Sequence, residues 1–236
     1  MIISTFSKTL HATIRLCSMV MLATLLSVEL SATEPKAIVI GIDLTVERFD
    51  LARIRNGVML YLHQNCDDGA SIIAVAVTGK TFTQPVILTE IRLPTYRGIK
   101  GRARRLALEK FECELISALE NNAKLGKEFL QRSRIADFFN LAANLFSERK
   151  VPPKRRLMIL FSDMLEVDER RNWERDRELR AGDLRLQTVG GTVAIYGVQS
   201  RFYSNVKRWE DVYKIWIGLL THAGVAVQVY SITYPR

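Results

Sequence analysis

Histidine is scarce in this chain. His11, His63 and His222 lie too far apart in sequence to suggest a zinc site or a catalytic triad. Cysteine is equally rare, with Cys17, Cys66 and Cys113 in 236 residues, which excludes a disulfide-dense scaffold. Glycine (13) and proline (6) are too few for long flexible linkers, and no internal repeat or low-complexity tract is present. A glycine-rich phosphate loop is also missing, as are a Ser-His-Asp order and a Cys-His pair. Hydrolase chemistry therefore has little support from motif alone. No apolar run is long enough to cross a membrane comfortably; the run Leu16–Val28 falls short of the roughly 20 residues a spanning helix needs. What the chain does have is 48% hydrophobic residues and a formal net charge of +9. The first indicates one folded domain with a sizeable core, and the second a cationic surface.

The first 32 residues read as a targeting segment. Lys8, His11 and Arg15 give a weakly basic start, Leu16–Val28 an apolar middle, and Ser31-Ala32 small residues before Thr33-Glu34-Pro35. A secretory signal peptide cleaved after Ala32 is expected, although Leu30 departs from the small residue preferred there. An uncleaved anchor is the alternative. The expected location is therefore the bacterial periplasm or the extracellular space, or the inner membrane if the anchor stays. Residues 33–236 then form a single domain. Cys66 and Cys113 remain as an even pair in an oxidising compartment, either bridged or as two separate thiols.

From residue 37 onward strands and helices alternate. Ala37–Asp43, Ala70–Thr78, Val86–Leu93, Leu157–Ser162, Thr192–Val198 and Val225–Ile232 read as strands. Helices are predicted over about Phe49–Gln64, Arg102–Asn121 (continuing less regularly to Phe129), from Ser133 up to Pro152-Pro153, and over Trp209–Ala223, with Gly224 as its stop. The short link between the second and third strands predicts an antiparallel pair. The remaining order predicts a mainly parallel six-stranded sheet with helices on both faces.

Two acids stand where buried strands leave this sheet. Asp43 ends Ala37-Ile38-Val39-Ile40-Gly41-Ile42, with Thr45 and Glu47 just beyond, and Asp163 ends Leu157-Met158-Ile159-Leu160-Phe161-Ser162. In open α/β sheets ligands bind beyond the carboxyl ends of the strands. Two carboxylates and neighbouring hydroxyls suit a hard divalent cation. The plainer alternative is that each Asp caps the helix that follows it.

This layout resembles the von Willebrand factor type A domain and its metal-ion-dependent adhesion site, an Asp-x-Ser-x-Ser after the first strand, a Thr before a later helix and an Asp after the fourth strand. The matching positions are Asp43, Thr45 and Glu47, then Ser133, then Asp163. The resemblance covers about residues 37–232. It implies a three-layer α-β-α, Rossmann-like fold with one antiparallel edge strand. It also implies Mg²⁺ (Mn²⁺ or Ca²⁺ as substitutes) at those five positions, and a protein partner offering an acidic side chain to the ion. Glu47 stands where the family has Ser, and Met164 follows Asp163 where the family commonly has Gly. Ser162-Asp163-Met164, then Asn172-Trp173, resemble bacterial exported members of this group.

Two rival resemblances start from the same first motif. Gly41-Ile42-Asp43-Leu44 is similar to a phosphate loop of actin-like ATPases, but Thr45 stands where Gly is needed. Asp43-Leu44-Thr45-Val46-Glu47 is similar to the nucleophile loop of haloacid-dehalogenase phosphatases, which would make Asp43 the phosphoryl acceptor and Ser162-Asp163 a Mg²⁺ holder. A metal-free scaffold that has lost the adhesion site is the third alternative.

The segment Glu166–Arg180 follows the proposed ion loop, which makes Glu166 and Trp173 candidate partner-binding residues; Trp173 could equally cover the core. Two basic clusters, Arg97–Arg105 and Arg149–Arg156, suit acidic lipid heads, envelope polymers or an acidic partner, or form a solvated face. No aromatic is interleaved among them, so nucleic acid is not expected as a partner.

Overall fold

The computed structural model describes residues 36–44, 51–66, 68–95, 100–122, 132–167, 173, 184–196 and 206–231. Residues 1–32, expected to be a targeting segment, together with Thr45, Glu47, Arg97, the expected extension toward Phe129 and most of 168–183, lie outside the described residues. Residues Pro35–Arg236 belong to one compact unit. Among the described residues no helix is long and apolar enough to cross a membrane.

Six strands form one sheet: β1 (Ala37–Asp43), β2 (Ser71–Val77), β3 (Val86–Arg92), β4 (Arg156–Phe161), β5 (Gly191–Tyr196) and β6 (Val225–Ser231). Their spatial order is β3-β2-β1-β4-β5-β6. All neighbours are parallel except β2 and β3, whose short hairpin makes β3 an antiparallel edge. The four helices are α1 (Leu51–Asn65), α2 (Lys100–Asn122), α3 (Ile135–Glu148) and α4 (Val206–His222). The expected architecture is therefore observed: a six-stranded, mostly parallel sheet with one antiparallel edge, between two helical layers.

The layers follow from side-chain alternation. Every residue of β1 is buried, as a central strand covered on both faces requires. Its Ile38, Ile40 and Ile42 face a core shared with Ile54, Val58 and Leu62 of α1 and with Leu108, Phe111 and Leu115 of α2. Val39 faces the other core, built on Phe138, Phe139, Ala142 and Phe146 of α3 and on Val212, Trp216 and Leu220 of α4. The stripes expected on α3 and α4 are buried along most of their length, with Leu145, Ile215 and Leu219 at their margins.

Gly41 fixes how closely α3 approaches β1. A Cβ there would lie 2.6 Å from the Phe138 ring and 2.9 Å from Leu160 Cδ1. Only a residue without a side chain lets the ring sit on the strand. That contact brings the start of α3 over the end of β1, where the candidate site forms. At the far end of α4, Gly224 takes φ +73°, the left-handed stop expected of it. Cys66 and Cys113 are two separate thiols and not a disulfide, the first buried and the second exposed.

Candidate functional site

The carboxyl end of the sheet holds most of the buried polarity. Asp43, Thr78, Thr81, Ser133, Ser162, Asp163 and Glu166 are all buried there; among the described residues Thr89 of β3 is the one other buried polar side chain. Burying charge is costly unless hydrogen bonds compensate it. Such a concentration at one rim therefore calls for a chemical account.

Asp43 is the centre. Its Oδ2 accepts a hydrogen bond from Ser133 Oγ at 2.6 Å and another from Ser162 Oγ at 2.7 Å. Three separate segments thus meet on one carboxylate oxygen: the end of β1, the residue just past β4, and the approach to α3. The β1–β4 register pairs Ile42 with Phe161, so Asp43 and Ser162 leave adjacent strands side by side. Asp163 follows directly, on the same rim. Its Oδ1 accepts the Leu165 N–H at 3.1 Å in a local turn. Met164 between them has φ +63°, a left-handed conformation that glycine adopts without strain. Here the turn is kept with a buried methionine, whose carbonyl accepts Trp216 Nε1–H at 2.9 Å.

Ser133 explains the start of α3. A serine there is well suited to cap the helix, yet α3 has no local side-chain cap. The Ser133 hydroxyl is turned to Asp43 instead. Glu166 takes over the helix amides, its Oε2 accepting Ile135 N–H at 2.8 Å and Ala136 N–H at 3.2 Å. A carboxylate at a helix N-terminus is stabilised by the aligned peptide dipoles. The same connection is doubled by backbone, since Val167 N–H donates to the Ser133 carbonyl at 2.9 Å.

Two expectations are corrected by these facts. Glu166 is 1% exposed and committed to the α3 amides, so it is a helix cap and not a partner-facing side chain. Trp173 is fully buried, its ring 5.8 Å from that of Trp216, and its N–H donates to the Glu166 carbonyl. It covers the core because a large apolar ring gains more from burial there than in water. Thr45 and Glu47 lie outside the described residues. Of the five proposed ligands, Asp43 and Ser133 are hydrogen-bonded to each other, and Asp163 follows Ser162, which also bonds Asp43.

Ser162 was singled out only as part of the Ser162-Asp163 pair in the phosphatase resemblance, and Thr78 and Thr81 not at all. Ser162 is the second hydroxyl on Asp43. Thr78 directly follows β2, its N–H donating to Thr81 Oγ1 at 2.7 Å and its carbonyl accepting Thr81 Oγ1–H at 2.8 Å and Arg134 N–H at 3.4 Å. That turn ties the β2 exit to the start of α3. The signal for Thr78 was legible, a polar residue directly after a buried apolar run, the same signature that marks Asp43 and Asp163.

The donor set is all oxygen: two carboxylates on neighbouring strand exits and two hydroxyls within 2.7 Å of one of them. This fits a hard cation such as Mg²⁺, which needs only one or two carboxylates and keeps its own waters. Among the described residues no group of three or more His, Cys, Asp or Glu could hold a metal. Hydroxyls and water would therefore have to complete the shell.

No protein-family model and no curated protein matches this chain. Solved structures do. The conserved hypothetical protein BatB from Bacteroides thetaiotaomicron aligns over 85% of this chain and 91% of its own, at 12% identity and a TM-score of 0.44. The human COPII-coat protein Sec24c aligns over 84% of this chain and 29% of its own, at 12% identity and a TM-score of 0.40. The fold is defined by the strand order and the antiparallel edge rather than by these distant likenesses.

Proposed function

We propose that this protein is an exported, von Willebrand factor A-like binding module of the cell envelope, which engages a protein partner at the carboxyl rim of its sheet through a divalent cation. The observation that carries this reading is the convergence of Ser133 and Ser162 on Asp43 beside Asp163. Asp43 and Asp163 would hold the ion, with Ser133 and Ser162 as neutral oxygen donors and Thr45 and Glu47 as further donors from the loop after β1. A bound ion supplies an open coordination position for an acidic side chain of the partner. The chain's own part is to keep the oxygens aimed. Gly41 lets α3 close on β1, Glu166 holds the α3 amides, and the turn at Met164 fixes one Asp163 oxygen on the Leu165 N–H. The apolar N-terminal run supports export, and the absence of a nucleophile–base pair in the motif inventory supports binding over catalysis.

The test is thermal melting of the purified protein across millimolar Mg²⁺, Mn²⁺ and Ca²⁺. A ligand at a hundred times its dissociation constant stabilises a fold by about 2.7 kcal/mol, so a clear rise in melting temperature is expected. Asp43→Asn and Asp163→Asn should each abolish that rise. Identical melting with and without all three ions would leave the metal-free scaffold as the better reading. Turnover of an aryl phosphate that disappears in Asp43→Asn would establish the phosphatase instead.

A further inference from the structure

The amino ends of the strands carry the opposite chemistry from the acid-bearing rim. Lys36 precedes β1, Arg156 opens β4, and Arg92 ends the antiparallel β3 in register with Ser71 at the start of β2. Lys150, Lys154 and Arg155 lie in the link from α3 to β4. The start of α2 joins them, because Arg104 Nη2 donates to the carbonyls of Cys66 at 2.8 Å and His63 at 3.4 Å, at the end of α1. The two basic clusters of the sequence therefore meet at one end of the domain.

Some of these cations are committed to the fold. Arg149 bonds Ser71 Oγ and pairs with Glu90, both at 2.7 Å, and Arg156 donates to the carbonyls of Val151 and Val189. Others face solvent: Arg92, Arg102, Arg105, Lys150 and Lys154 are exposed, Arg105 with an exposed ion-pair partner one turn on, Glu109, at 3.5 Å. Acids near this rim are fewer. Asp68 and Glu148 are exposed there, and Glu90 and Glu109 are already paired with Arg149 and Arg105. Leu106, 52% exposed, sits on α2 beside Arg105. An apolar side chain among cations suits a lipid interface, where the charge meets head groups and the alkyl group enters the boundary. A single-stranded nucleic acid would want aromatic stacking platforms, and the basic residues described on this rim are not interleaved with any. The polypeptide also enters the domain at this end, through Lys36, and the sequence places the apolar run Leu16–Val28 upstream of it.

We propose that this amino rim docks on an anionic lipid surface, with Arg102, Arg105, Lys150 and Lys154 as head-group contacts and Leu106 as an apolar contact. The proposal is independent of the cation reading at the other rim. Docking at the amino end leaves the carboxyl rim turned outward and accessible to a partner.

The test is co-sedimentation of the full chain with vesicles of phosphatidylcholine alone or mixed in equal parts with phosphatidylglycerol. The ratio of the two affinities reports the charge-dependent part, while binding by the apolar segment contributes to both. Each basic residue near an anionic surface is worth about five-fold. The variant R102Q/R105Q/K150Q/K154Q should therefore lose up to several hundred-fold of the anionic preference, and at least about 20-fold if only two of the four side chains reach the surface. The double substitution R132Q/K214Q, away from this rim, should lose little. If the fourfold variant does not fold, R102Q/R105Q and K150Q/K154Q are measured separately, and each should remove a substantial share. Retention of the wild-type preference in these variants, an equal loss in R132Q/K214Q, or stronger competition by single-stranded RNA than by anionic vesicles would overturn the proposal.

Discussion

The two rims of the sheet solve the same problem in opposite ways. At the carboxyl rim, polar side chains are buried and bond to one another: two hydroxyls on Asp43, a carboxylate on the α3 amides, a threonine turn at the end of β2. At the amino rim, long arginines satisfy backbone carbonyls while staying near the surface. Arg104 reaches the end of α1, and Arg156 stitches the residues before β4 and β5 with its guanidinium over the Phe146 ring. The second solution is inexpensive, because the charged heads remain partly hydrated. The first is costly, since buried carboxylates persist only where geometry satisfies them. The lesson of the contrast is that the amino rim reads as scaffold with a charged exterior, and the carboxyl rim as a built site.

The strongest way to sharpen that contrast is to damage the scaffold rim. Gly191 has φ +91°, and a Cβ there would fall 2.7 Å from both Arg156 Cβ and the Arg156 carbonyl oxygen. Gly191→Val should destabilise the protein by about 3 kcal/mol in urea unfolding, from overpacking and a disfavoured backbone together. The concentration of Mn²⁺ at which half the melting shift develops should not move. A shift in that midpoint would break the separation between the rims.

Next comes the cap at the other rim. Glu166→Ala leaves two helix amides and a buried space without a partner, and should cost about 2 kcal/mol. Glu166→Gln keeps an oxygen that can accept both N–H groups and should cost no more than about half of that. Equal losses in the two variants would mean that the charge, rather than the hydrogen-bond geometry, holds α3 in place.

The smallest effect concerns the middle of the sheet. Burial first, then the neighbouring Tyr196 and Cys66, push the Tyr61 phenol up to about 12. Its hydroxyl bonds Gln228 Oε1 at 3.0 Å, joining α1 to β6. The unfolded chain releases this proton near pH 10, before the folded protein does. Stability is therefore unaffected below about pH 10 and falls as the pH rises toward 12, by at most about 1.4 kcal/mol per pH unit. Tyr61→Phe should flatten the alkaline limb, leaving the contribution of Tyr196, which burial also raises. An unchanged alkaline limb in Tyr61→Phe would show that the phenol already ionises in the folded state.

The strand and helix order was legible because the strands are compact apolar runs between polar or turn residues and the last two helices carry clear apolar stripes, and boundaries moved by no more than a few residues. β1 matched end for end, since a buried strand is bounded by the first polar residue it meets, Asp43. The antiparallel edge was legible from the short β2–β3 link. The pairing of rim residues was less so. Asp43 and Asp163 could be nominated one at a time, each at the end of an apolar run. Ser162 was read only in company with Asp163 and not as a partner of Asp43, and Trp173 looked as suited to recognition as to the core.

The sequence alone therefore determined the periods: which residues face inward, where strands end, and that two acids stand at strand exits. Those follow from local chemistry, the alternation of apolar and polar groups and the stops imposed by Gly, Pro and Asp. Only the tertiary structure decided which partners those groups take. Glu166 caps a helix that begins 31 positions earlier, and Ser133 turns from its own helix to an aspartate 90 positions away. Hydrogen bonds and charges act over a few ångströms in space, and the parallel crossovers set those distances with no regard to separation along the chain.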